Sequence, residues 1–182
     1  MRLIWIFICC GMVGCHASDK QKEYSDFIND PANRIVQKIK LNEVEMTMKF
    51  QPEAYRAFAR KDTLKEEVAG AAKDSLYYFN VRIDKVDGEK PAKEKLLYLD
   101  FDMQKDFLMA TGTDSISPLI CQKIENGKGG SYEYMLVFEN PKEQQDFTVV
   151  YNDKIFGIGT IAFVYKNEDI RRIPVIKNKD QE

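Results

Sequence analysis

From Ile35 onward the chain alternates apolar and polar side chains with a period of two, the pattern of strands that bury one face. Ile39 and Leu41 share one parity, whereas Val44, Met46, Met48 and Phe50 share the other, so a bulge or tight turn is expected at Asn42-Glu43. Gln51-Pro52-Glu53 ends that strand and offers Pro for the first position of a helix, with Tyr55, Phe58 and Ala59 at helical spacing. A second helix is expected from the capping pair Thr63 and Glu66, with Leu64, Val68, Ala71 and Ala72 along one face. Gly70 inside it costs about 1 kcal/mol relative to Ala, so this helix should lean on the sheet.

Beyond Ser75 strand patterns come in quick succession. Tyr77, Phe79, Val81 and Ile83 alternate, and Leu97, Leu99, Phe101 and Met103 repeat the parity after a loop at Asp87 to Pro91. Further strands are expected over 107–110, 119–124, 132–138, 147–151, 158–165 and 172–176. Turn chemistry separates them at 126–130, Asn140-Pro141, Asn152-Asp153 and Asn167. Many short strands at this spacing predict a mainly β protein: an antiparallel β-sandwich, immunoglobulin-like or related, with one or two short helices inserted near its N-terminal side.

The N-terminus follows a different rule. Arg2 and the α-amino group precede an unbroken apolar run from Leu3 to Ile8, and the greasy stretch ends by Val13. A spanning helix needs roughly 20 residues at 1.5 Å each, so this run is too short and reads as an export signal. Met12-Val13-Gly14-Cys15 resembles the lipobox of bacterial lipoproteins, in which an apolar residue, a spacer and a small residue precede a cysteine. The resemblance implies cleavage between Gly14 and Cys15, diacylglycerol on the Cys15 thiol and acylation of the new N-terminus. Cys9 and Cys10 lack the small residue before them. Two or more acyl chains hold a protein firmly where one is marginal, at roughly 0.8 kcal/mol per buried methylene. Residues 16–33 are polar without a sustained period, so the expected plan is a signal peptide (1–14), a flexible tether (15–33) and one β-sandwich domain (34–182).

Charge and cysteine usage narrow the chemistry. Lys and Arg total 27 against 29 Asp and Glu, a net charge of -2 that gives no field for nucleic acid. The expected partners are therefore membrane lipid through Cys15 and an envelope protein or glycan, with no cofactor and no metal. Of the four cysteines, Cys9 and Cys10 leave with the signal and Cys15 is lipidated, so Cys121 has no disulfide partner. In the setting Leu119-Ile120-Cys121 it reads as a small buried hydrophobe. The one histidine, His16, lies outside the strand region, which removes Ser/His/Asp and Cys/His catalysis, and no HExxH, CxxC or phosphate-loop motif occurs. No catalytic residue is expected.

Carboxylates can work without histidine. If residues 97–103 form a strand, Asp100 and Asp102 point to one side with Tyr98, and Tyr78, Asn80 and Arg82 face outward on the strand before. Two readings stand: a polar ligand face of Tyr98, Asp100, Asp102 and Arg82 suited to a sugar or cation, or a solvated sheet face in which Arg82 pairs across a hairpin with an Asp for at most about 1 kcal/mol. Gly127, Gly129 and Gly130 bring an anion-binding nest to mind but lie between strand patterns, as a hairpin loop would. Gly157 and Gly159 fit a bulge or a close backbone approach. Asp62-Thr63-Leu64, Asp74-Ser75-Leu76 and Asp114-Ser115-Ile116 each resemble the Asp-Ser/Thr-aliphatic O-glycosylation acceptor of Bacteroidetes-type bacteria, and Ser115, expected in a polar loop over 110–118, is the best placed of them.

In layout the chain resembles envelope lipoproteins of that group that carry an immunoglobulin-like domain, and accessory lipoproteins of secretion or assembly machines. The resemblance implies an outer-membrane, lipid-anchored binding or scaffolding module. The alternative is a carbohydrate-active enzyme or glycan binder using Asp100, Asp102 or Glu133.

Overall fold

A computed structural model describes residues 19–52, 76–85, 92–141 and 145–174. Two antiparallel sheets pack face to face, the β-sandwich that the alternation predicts. One sheet runs β1 (Val36–Leu41), β2 (Val44–Gln51), β3 (Leu76–Lys85), β7 (Ser131–Glu139), β6 (Ile120–Ile124). The other runs β5 (Asp114–Ile116), β4 (Phe107–Thr111), β8 (Phe147–Asn152), β9 (Thr160–Tyr165). In an immunoglobulin constant domain the second and third strands lie in opposite sheets. Here β1, β2 and β3 form a meander within one sheet, so the sandwich is of a related order.

Register follows from burial. In β2 every second residue, from Val44 to Phe50, faces the core, and Phe79, Val81 and Ile83 of β3 lie opposite Phe50, Met48 and Met46. A slip of one residue would turn all of these to water, which is why the pairing is unique. The turn between β1 and β2 falls at Asn42-Glu43 as expected, and Asn42 takes a left-handed φ of 54°, which Asn tolerates better than most residues.

Aromatic rings bridge the sheets. Phe79 meets Phe147 at 6.1 Å and Tyr165 at 5.4 Å in edge-to-face geometry, and Tyr77 lies 5.2 Å from Phe147. Such pairs add about 0.5–1.5 kcal/mol each beyond the area they bury. The buried Tyr165 hydroxyl donates to the Met48 carbonyl of the opposite sheet at 3.2 Å, so a polar tip crosses the core without being orphaned.

Four expectations are corrected. Residues 97–103 are not a strand: α2 (Lys93–Phe101) is followed by a 3-10 turn over Met103–Asp106. The parity was misleading because Leu99 and Met103, four apart, are buried while Leu97 and Phe101 are 51% and 78% exposed. Spacing of four is one helical face, and Lys-Glu-Lys-Leu-Leu at the start is rich in helix formers.

Nor is the polar stretch after Cys15 a tether from Asp19 onward. It holds α1 (Asp19–Asn29) and a 3-10 turn over Pro31–Asn33 capped by the Asp30 carboxylate. Tyr24, Phe27 and Ile28, at three- and four-residue spacing, turn onto the core. The third correction is the short edge strand β5, which pairs with β4 where a polar loop was expected. Finally, Arg172 to Pro174 are not a strand; they follow the short helix α3 (Asn167–Arg171), whose buried Asp169 is held by Arg34 at 2.9 Å. The signal and Cys15, the two helices expected between Glu53 and Ala72, the loop at 87–91 and residues 175–176 lie outside the described residues.

Candidate functional site

The fold separates the residues proposed as a ligand face. Asp100 and Asp102, two apart at the end of α2, leave it in different directions, as helical geometry requires. Asp100 pairs with Lys123 of β6 at 2.5 Å, and Asp102 with Lys105. Tyr98 turns the other way, donating to the buried Asp106 carboxylate at 2.7 Å, and Lys154 joins the same oxygen at 3.0 Å. Each carboxylate thus has its own lysine. The strand face that was expected to set Asp100 beside Asp102 is absent, because this segment is helical. Arg82 does face outward on β3 with Tyr78 and Asn80, but its Asp is Asp84 on its own strand, at 2.8 Å, not one across a hairpin. Glu133 stands opposite Arg82 on β7 and accepts from Asn80 at 2.7 Å.

Around Arg82 the outer face of the first sheet forms a groove of about 600 Å³. Its lining combines Lys38 and Lys40 of β1, Glu45 and Thr47 of β2, Arg82, Asp84 and Lys85 of β3, and Lys128, Gly129 and Gly130 of the β6–β7 loop. The sheet register explains the assembly. Lys40 lies opposite Glu45, which lies opposite Asp84, which lies opposite Ser131; one row down, Lys38, Thr47, Arg82 and Glu133 follow one another. All sit on the parity that the apolar core leaves outside.

Four cationic side chains, those of Lys38, Lys40, Arg82 and Lys128, therefore meet two carboxylates in one concavity, and Lys85 borders it with its backbone. Asp84 is occupied: Arg82 Nη2 donates to one oxygen at 3.0 Å, Arg82 Nε lies 2.8 Å from the other, and Lys128 approaches to 3.4 Å. Burial alone would push its pKa up, but the hydrogen bonds from Arg82 and Ser131 and the Arg82 charge hold it below the usual carboxylate range. Glu45 touches Lys38 only at 3.9 Å, and Lys40 has no ion-pair partner among the described residues. Lys38, Lys40 and Lys128 thus present ammonium groups with only long contacts to carboxylates, beside a floor in which Arg82 engages Asp84.

The loop over 125–130 closes one end. Asn126 accepts from the Lys128 N–H at 3.0 Å and reaches Ser131 at 3.2 Å, while Gly130 accepts from the Lys85 N–H at 2.8 Å. It is the hairpin connection expected of its glycines, with φ of 67° at Gly127 and 73° at Gly130, and it also borders the groove. Sequence reasoning missed Lys38, Lys40, Lys85 and Lys128. The available signal was two lysines at alternate positions of β1; which strand lay beside them was not in the pattern.

Other predicted positions fall apart from this groove. Ser115 is exposed on β5, opposite Ala110. Cys121 is half-buried on β6 against the core, and burial, with a smaller contribution from the Asp106 charge, pushes its thiol up to about 12. Among the described residues no group of His, Cys, Asp and Glu is placed to hold a metal ion, and no helix is long and apolar enough to cross a membrane. No protein-family model, curated protein or solved structure matches the chain.

Proposed function

We propose that the protein is a lipid-anchored component of a bacterial cell envelope, held through Cys15, whose β-sandwich binds a partner in the cationic groove without transforming it. The observation that carries the binding role is the groove itself: the side chains of Lys38, Lys40, Arg82 and Lys128 line one concavity in a chain whose net charge is -2. A volume of 300–1,000 Å³ is usual for small-molecule sites, and this one is inside that range. The anchor rests on Met12-Val13-Gly14-Cys15.

The short spacer sharpens the reading. With α1 starting at Asp19, only His16-Ala17-Ser18 separates the anchor from folded chain. Four Cα steps reach at most about 14 Å, so the body would ride close to the lipid surface rather than swing on a long leash. An outer-membrane address and an accessory role in a secretion or assembly system belong to the same proposal.

Metabolic labelling with an alkyne fatty acid tests the anchor. Wild-type protein should carry the label and fractionate with membranes, and Cys15→Ala should lose both. An unlabelled wild type, or a variant that fractionates identically, would refute it.

A further inference from the structure

We infer that the groove is a receptor for phosphate groups, contacted by Lys38, Lys40 and Lys128 and met on the floor by Thr47. This deepens the binding role proposed above and rests on the groove being the recognition surface.

The chemistry of the lining selects the ligand. No aromatic side chain lines the groove, so it has no platform for stacking a sugar ring or a base. No large apolar residue lines it either, so an acyl chain gains nothing there. What remains is charge and hydrogen-bond donation. Lys38 and Lys40 come from β1 and Lys128 from the loop bordering the groove, so the groove is lined by lysines from two elements. A phosphate monoester carries about -1.5 to -2 at neutral pH and presents three acceptor oxygens, which suits several separated point charges. A carboxylate, with one charge and two oxygens, uses fewer of them.

Two local features favour occupation. Asp84 is engaged mainly by Arg82, at 2.8 and 3.0 Å, and reaches Lys128 only at 3.4 Å, so an entering phosphate displaces one long contact rather than a close ion pair. At Gly129 a Cβ would meet nothing within 4 Å, so that edge of the loop stays open to an entering group. The volume exceeds that of a bare ion and fits a phosphate carried on a small polar body, either a soluble phosphate ester or a membrane headgroup.

Lysine footprinting distinguishes the outcomes. The full chain in detergent micelles is acylated with an amine-reactive ester at constant ionic strength while glycerol phosphate, inorganic phosphate or maltose is titrated. Each lysine is read by mass spectrometry. Saturable protection of at least fivefold at Lys38, Lys40 and Lys128 by the phosphates, with Lys22 and Lys93 unchanged, is the expected result. The double variant Lys40→Gln/Lys128→Gln should weaken protection at Lys38 at least tenfold.

A second arm places the protein in phosphatidylcholine nanodiscs with or without phosphatidate. Protection confined to phosphatidate discs identifies a headgroup as the source, and protection by glycerol phosphate identifies a soluble ester. Protection by maltose alone overturns the phosphate assignment but leaves the groove as a binding surface. No selective protection by any probe in either arm overturns both.

Discussion

Asp153 should be among the costliest polar residues to remove, although its neighbourhood shows no charge partner. It opens the β8–β9 loop, and its carboxylate accepts the N–H groups of Ile155 at 2.9 Å, Phe156 at 2.9 and 3.1 Å and Ile158 at 2.8 Å. The fully buried Tyr151 hydroxyl donates to it at 3.0 Å. One side chain therefore holds a seven-residue turn whose Gly157 and Gly159 both sit at φ 73°. Replacing it with Ala strands the Tyr151 hydroxyl in the interior, at about 1–3 kcal/mol. The three amides can recover water in a half-exposed loop, so each loses only about 0.5 kcal/mol. The total is about 3 kcal/mol, which for a chain of this size lowers Tm by roughly 6–12 °C. Thermal unfolding followed by far-ultraviolet circular dichroism is the assay. Tyr151→Phe should cost less, and the double variant Asp153→Ala/Tyr151→Phe should cost less than the sum of the two. If Asp153→Ala melts within 2 °C of wild type, the loop is not held by this carboxylate.

Three further outcomes follow from the same geometry. Leu99→Ala should destabilise by about 2–5 kcal/mol in urea unfolding, whereas Leu97→Gln and Phe101→Gln should be near neutral; equal effects at all three positions would restore the strand reading of this segment. Asp84 and Asp153 both have depressed pKa values in the fold: burial raises each, but the Arg82 and Ser131 hydrogen bonds at Asp84, and the loop amides with Tyr151 at Asp153, outweigh it. Their contribution is present above the unfolded value of about 3.9 and is lost as pH falls through the lower folded values, so urea midpoints should be flat with respect to these groups from pH 6 to 8 and drop below about pH 4. Cys121, with its thiol raised to about 12, should react with iodoacetamide at pH 8 far more slowly than a free thiol, and rapid alkylation of folded protein would contradict its burial.

Legibility in the sequence tracked the range of the interaction involved. β1, β2, β3, β4, β6, β7, β8 and β9 all lie where alternation placed strands, because period two records burial of one sheet face directly. Alternation failed over 97–103 because four apolar residues at even spacing satisfy a strand and contain a helical pair, and packing of Leu99 and Met103 chose the helix. It failed again over 19–33, where a stripe of three apolar residues was too sparse to stand out among polar neighbours. β5 pairs only because β4 lies beside it.

By itself the chain determined which faces are apolar, where turns interrupt the strands and which thiol stands behind a small residue at the end of the N-terminal apolar run. Those are properties of neighbours in sequence, governed by local geometry and by transfer of side chains out of water. The tertiary structure alone decided that Lys38, Lys40, Arg82, Lys85 and Lys128 share one concavity while Asp100 and Asp102 do not share one face. Strand order and register set those distances, and both are settled by how two sheets bury their rings against each other.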